Sequence, residues 1–276
     1  MSFHLVDRIL ALSPGKSAAA RLHVPHADFP PCLVAEAVGQ LAAWVAMENR
    51  AFSSRPVAAI VGELAIGEPA RTGATLDLTV EISAIRTGAM RYGGRASVDG
   101  RTVLELRRCT GAMLPMDVFD DPARVRAQFE RLRAEGEAER SFPAFSEFAP
   151  RATRIAAADG ELAVELEAPQ EAAFYADHFP RRAVYPATLL LDAKVRVAQE
   201  LLQRDGPGAT PPEIRALRNA KVRAFTPPGG RVRVVARRCP DESDANGEAV
   251  RLEAFAEEER VSAVTVWLSS EPPAAG

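Results

Sequence analysis

His178 and Asp192 stand fourteen residues apart in the stretch HFPRRAVYPATLLLD, and both side chains can exchange protons. A neutral imidazole accepts a proton at pH 7. A carboxylate inside an apolar run is desolvated and driven toward its neutral, donating form. Pro180 and Pro186 stiffen the intervening segment, and a helix is expected to begin near Ala187. A second carboxylate, Glu36, lies in LVAEAVGQLAA four residues before Gln40. On a helix these two share one face. Val34, Ala35, Ala37, Val38, Leu41 and Ala42 surround Glu36, so it fits a proton donor, with the Gln40 amide to orient it. Asp192 has Arg196 four residues on, an ion pair that would keep it ionised. A structural role for Asp192 is therefore weighed slightly above a catalytic one. The competing reading of each group is a solvated or ion-paired surface charge.

The elements that position these residues repeat. AEAVGQLAAWVA (35–46) is similar to LDAKVRVAQELL (191–202), which sets Glu36 and Asp192 156 residues apart. Gly73 in RTGATLDLTV and Gly229 in PPGGRVRVVA keep that offset, and Val103 and Val261 stand 158 apart. One offset held across a helix and the following strands predicts two related halves. Each opens with a strand region (3–24, 152–168), continues with a mostly apolar helix (32–50, 187–203) and closes with alternating strands such as LDLTVEIS. A long apolar helix followed by strands predicts an α+β arrangement, helix against antiparallel sheet. The predicted boundaries are 1–117 for the first half, 118–149 for a charged helical connector and 150–276 for the second. In the connector, Asp121 before Pro122 reads as a helix cap, with Phe129 and Leu132 as the main apolar contacts. Its mixed charges describe a surface helix rather than a membrane-binding one.

The halves are defective in complementary ways. Fourteen residues before Glu36 stands Leu22, not a histidine, and the loop before the first helix is shortened. The second half has the histidine but Arg196 where the first has Gln40. His178 with Glu36 and Gln40 would make one complete site; Leu22 with Asp192 would make a dead one.

The 276 residues are 47% hydrophobic and 26% charged, with a net charge of −3, ordinary for a globular protein and no pointer to nucleic acid. Cys32, Cys109 and Cys239 are odd in number, far apart and without metal-ligand spacing. They predict a reduced protein with no metal. The N-terminal apolar stretch is broken by Asp7 and Arg8, and the longest apolar run (33–47) contains Glu36 and is short for a bilayer. The expectation is a soluble, cytoplasmic protein without a membrane partner.

HFPRRAVYPATLLLDA resembles the motif of hot-dog-fold 3-hydroxyacyl-acyl-carrier-protein dehydratases, in which a His-Phe-Pro loop leads through a proline into a helix bearing Glu or Asp. LVAEAVGQLAA resembles the same helix with its Glu-Ala-x-x-Gln signature, and FHLVDRIL (3–10) the opening strand. The resemblance covers about 3–115 and 150–270. It implies a double hot dog: two curved antiparallel sheets, each wrapped around a long central helix. It implies dehydration of a 3-hydroxyacyl thioester to a trans-2-enoyl thioester in fatty-acid or polyketide-type biosynthesis. His178 would remove the α-proton, Glu36 would protonate the leaving hydroxyl and Gln40 would orient Glu36. No cofactor is implied beyond the phosphopantetheine of the acyl carrier protein that brings the acyl thioester. Phe179, Pro180, Ala187 and Cys32 would lie against substrate, and Arg181 and Arg182 would face the acidic carrier. Arg218, Lys221 and Arg223 are further candidates for that face. The family has glycine after the helix-start proline. Pro31 and Ala187 hold that position here, and Pro31 has no N–H for the thioester carbonyl, which makes the Cys32 N–H its nearest substitute. The alternatives are a hot-dog thioesterase and a non-catalytic protein that binds an acyl chain or a partner dehydratase. A further homodimer is compatible with each of these readings.

Overall fold

The computed structural model describes residues 3–25, 29–136, 148–203, 211–244 and 247–269. Helix α1 (Pro31–Asn49) is apolar on nearly every side, and twelve of its residues are buried, as a helix without a polar face must be. Proline at its first turn costs nothing, because that N–H has no intrahelical acceptor. Helix α3 (Ala187–Leu202) is more two-sided: Leu189, Leu190, Ala193 and Val197 are buried while Arg196 and Glu200 face out.

Twelve antiparallel strands form one sheet around both helices, in the order β1-β2-β4-β5-β6-β3-β9-β12-β11-β10-β8-β7. The first half contributes β1 (Arg8–Ser13), β2 (Ser17–His23), β3 (Ser54–Ile66), β4 (Thr75–Ile85), β5 (Ala89–Val98) and β6 (Arg101–Pro115). The second contributes β7 (Arg151–Ala158), β8 (Glu161–Glu167), β9 (Glu213–Val222), β10 (Arg231–Arg238), β11 (Glu248–Ala256) and β12 (Glu259–Ser269). Read from its centre, the order is the same in both directions. The halves join where β3 pairs with β9, with Ile60 opposite Lys221 and Leu64 opposite Leu217. Period-two patterning explains the sheet faces: Leu76, Leu78 and Val80 of β4 point at α1 while Asp77 and Glu81 face solvent.

The repeat is structural. Residues 71–74 and 227–230 are equivalent four-residue turns, each closed by a backbone hydrogen bond, Ala74 to Arg71 and Gly230 to Pro227. Gly73 (φ +77°) and Gly229 (φ +69°) hold the left-handed position that a type II turn needs. The offset of 158 further on reflects a longer β10–β11 connection. The opening strand region of each half is a hairpin, β1–β2 and β7–β8.

Helix α2 (Pro122–Ala134) lies in the connector, capped by the Asp121 side chain, which accepts from the Ala123 and Arg124 N–H groups at 2.8 and 3.2 Å. Phe129 packs on Trp44 and Phe52. Residues 137–147 of the predicted connector lie outside the described residues. Among the described residues no helix is long and apolar enough to cross a membrane.

Helix α1 packs tightly on the sheet at Gly94 of β5. A Cβ there would lie 2.6 Å from the Thr79 oxygen and 2.7 Å from Val38 Cγ1. Gly94→Ala is expected to destabilise the fold by about 1–3 kcal/mol through overpacking. A lowered urea midpoint with unchanged m-value would report it, and an unchanged midpoint would count against this apposition.

Candidate active site

The connection before each central helix differs most between the halves. It spans 24–30 in the first and 168–186 in the second. The longer one holds a 3-10 turn, Ala173–Ala176, whose Phe174 carbonyl accepts from the His178 N–H at 2.8 Å. Leu22, fourteen residues before Glu36, is a fully buried strand residue of β2. It fills the core rather than standing where a histidine would.

The His178 ring is stacked on Phe179 (centroids 4.2 Å apart) and meets the edge of Phe3 at 5.3 Å. Its Nδ1 lies 3.1 Å from the Val184 oxygen. A carbonyl only accepts, so Nδ1 carries the proton and Nε2 the free lone pair. Burial holds the imidazole below its ordinary 6.5; the Glu36 charge and the Val184 oxygen pull upward, and Arg55 pulls downward. The ring is therefore neutral at pH 7, the form a base requires.

Glu36 projects from α1. Gln40 Nε2 donates to Glu36 Oε1 at 3.0 Å, and Thr188 Oγ1 donates to Oε2 at 3.0 Å. Gln40 is itself fixed: it donates to the Phe3 oxygen at 3.0 Å and accepts from the Leu5 N–H at 2.8 Å. The carboxylate is thus held in one orientation by its own helix and by the first turn of α3. Glu36, Gln40, His178, Phe179, Ala187 and Thr188 all line one cavity of about 170 Å³. Ala187 is the first residue of α3, so its N–H has no intrahelical acceptor and stands at the positive end of the helix dipole.

Cys32 and Pro31 belong elsewhere. Cys32 is buried near Asp192, Lys194 and Arg196, and burial raises its thiol well above the usual range. The helix start that borders Glu36 and His178 is Ala187, which has an N–H. The Pro31 departure falls at the opposite, pseudo-symmetric position and removes no donor from this cavity. Pro180 is exposed and does not line it either. Asp192 accepts from Arg196 Nε at 3.0 Å. Burial raises the Asp192 carboxyl, and Arg196 opposes the shift. The second position thus holds Asp192, Arg196 and Cys32 where the first has Glu36, Gln40 and Thr188.

Arg181 is tied to the connector: it donates to the Asp117 oxygen at 3.1 Å and pairs with Asp121 at 3.4 Å, yet stays about half exposed. Arg182 sits over the Phe225 ring at 5.0 Å. Thr188 and Arg55 are cavity residues that the sequence did not single out. Thr188 had a weak signal, two residues after Pro186 on the motif's own helix. Arg55 had none. It reaches in from β3, lies over Phe179 at 4.3 Å and pairs with the buried Asp120 at 3.7 Å. Burial lowers its guanidinium to about 10 against the pull of Asp120 and Glu36. Among the described residues no group of three His, Cys, Asp or Glu side chains could hold a metal ion.

Comparison with known proteins bears on family and fold. Residues 154–261 match the ApeI-like family of ApeI dehydratases. The chain is 33% identical over 117 residues to the 3-hydroxyacyl-[acyl-carrier-protein] dehydratase FabZ of Nitrosospira multiformis, covering 37% of this chain and 80% of that protein. Among solved structures, a chain described as an oleoyl thioesterase from Lactobacillus plantarum superposes with a TM-score of 0.60 at 12% identity, over 94% of this chain and 98% of that one. The acyl-CoA thioesterase II TesB2 of Mycobacterium marinum gives 0.57 at 11% identity, over all of both chains. The structural likeness defines the fold, a double hot dog. The chain belongs to the hot-dog dehydratase family, a family of hydro-lyases.

The His178 imidazole resonance, assigned by its loss in His178→Ala, is expected to titrate with a midpoint below 6.5 in an NMR pH series. Because the folded value is depressed, the associated stability is present above pH 6.5 and is lost as pH falls through the lowered midpoint. A midpoint above 6.5 would contradict the neutral-base assignment.

Proposed function

We propose that this protein dehydrates a 3-hydroxyacyl thioester carried on acyl carrier protein, using one composite site. The observation that carries the reading is the cavity in which His178 of the second half and Glu36 of the first half face the same space. His178 Nε2 takes the proton from the carbon next to the thioester carbonyl. The electrons of that C–H bond form the C2–C3 double bond as the C3–O bond breaks. Glu36 gives its proton to the departing hydroxyl, which leaves as water. The Ala187 N–H, at a helix N-terminus, is the donor suited to the negative charge on the thioester oxygen. Gln40 and Thr188 act as positioning residues for Glu36, and Asp192 is outside the chemistry. The proton transferred to His178 returns to Glu36 through solvent before the next turnover.

The FabZ likeness supports an acyl-carrier-protein substrate, in a fatty-acid or polyketide-type pathway. The exposed faces of Arg181 and Arg182 are the proposed contact for the acidic carrier, with a soluble, cytoplasmic setting. A thioesterase reading draws on the structural neighbours, whose likeness at 11–12% identity concerns the fold.

The test is mass spectrometry of a 3-hydroxyacyl carrier protein incubated with the enzyme and its variants. Wild type and Asp192→Asn should lose one water from the substrate. His178→Ala and Glu36→Gln should each fall by about 10²-fold or more, the range for removing a general acid or base. Free acid in place of enoyl product would establish the thioesterase instead. Loss of activity in Asp192→Asn but not Glu36→Gln would overturn the cross-half assignment.

A further inference from the structure

Lys194 lines the same cavity, yet nothing in the dehydration chemistry uses it. It is 4% exposed, a rare place for a lysine without a counter-charge. Its Nζ donates to Ser262 Oγ at 2.9 Å, and Ser262 is equally buried. An ammonium has three donors, and among the described residues it forms no ion pair. Burial brings its ammonium down to about 8, with Cys32 acting in the other direction.

The fold does not ask for this pair. By the offset of 156, Lys194 corresponds to Val38, and by the later offset of 158, Ser262 corresponds to Leu104. Both are fully buried apolar residues in the first half. A polar pair has replaced two core residues on the side that borders the catalytic cavity. Its place along α3 is also informative. Thr188, Leu191 and Lys194 recur every three residues and all face the cavity. Lys194 therefore lies about 9 Å along the helix axis from Thr188. Leu64, Leu217 and Val261 line the same cavity.

We infer that Lys194 and Ser262 recognise an oxygen-bearing group, a hydroxyl or a carboxylate, on the far part of the acyl chain. This rests on the dehydratase reading of the cavity and narrows its substrate class. An acyl chain whose thioester sits at Ala187 would bring that oxygen to the unused Lys194 donors, while a methyl-terminated chain would leave the ammonium desolvated and unanswered. A site that hydrogen-bonds its substrate discriminates strongly against an analogue lacking the acceptor.

The experiment compares three pantetheine thioesters of equal chain length: 3-hydroxyoctanoyl, 3,8-dihydroxyoctanoyl and 3-hydroxyoctanedioyl. Affinity is measured by calorimetry on His178→Ala, which keeps the cavity but not the base, and kcat/KM is measured on wild type. One or both oxygen-terminated compounds should bind at least about tenfold tighter than the methyl-terminated one, and the two arms distinguish hydroxyl from carboxylate. Adding Lys194→Met, or Ser262→Ala should the first variant fail to fold, should abolish or invert the preference. Equal or better binding of the methyl-terminated compound, or a preference unmoved by both variants, would overturn the inference. The binding arm stands apart from turnover. Absence of water loss from all three acyl groups when carried on acyl carrier protein, with the binding preference intact, would sink the dehydratase reading while leaving Lys194 as a recognition residue.

Discussion

The antiparallel pairing of β3 with β9 is the constraint on which the rest of the structure depends. It closes two six-stranded halves into one sheet and leaves a single interior for two central helices. Two apolar helices in one interior must pack on each other as well as on the sheet. The first turn of α3 is thereby brought against the second turn of α1, where Thr188 meets Glu36. A site assembled from both halves follows from the pairing, since neither half holds both His178 and Glu36.

Symmetry then sets what each half is free to lose. The pseudo-twofold arrangement relates two equivalent positions, but only one has histidine, carboxylate and amide together. At the other, the connection before the helix is short, Leu22 fills the core, and Arg196 neutralises Asp192. An ion pair held by i, i+4 spacing is a structural use of a carboxylate that has no catalytic partner. The helix-start substitution follows the same division. Proline, which removes a donor, sits at the α1 start; alanine, which keeps it, sits at the α3 start.

The working cavity is electrostatically specific. Burial keeps the imidazole neutral, the Val184 carbonyl fixes its tautomer, and donors from two helices orient Glu36. Arg55, stacked on Phe179 and paired with Asp120, ties the connector to the histidine loop. The charged segment between the halves is therefore more than a tether: Asp117, Asp120 and Asp121 hold Arg55 and Arg181, the residues that flank the loop.

Much of this was legible in the chain. The offset of 156 exposed the repeat because equivalent turns need glycine at the same left-handed position, as Gly73 and Gly229 show. Helical spacing alone put Glu36 and Gln40 on one face, and the histidine-to-carboxylate spacing marked the loop. What the sequence could not reveal depended on distance through space. Arg55 sits on a strand 123 residues before His178, and no periodicity links them. Cys32 was placed against substrate because Pro31 and Ala187 occupy equivalent positions; only the packing of α1 beside α3 decided which helix start borders the cavity. The same packing turned Lys194, an ordinary polar residue of an amphipathic helix in sequence, into a buried cation. Local types and spacings fix elements and faces because backbone geometry repeats. Which faces meet is decided by long-range strand pairing and helix packing, and that pairing gave the single site its two halves.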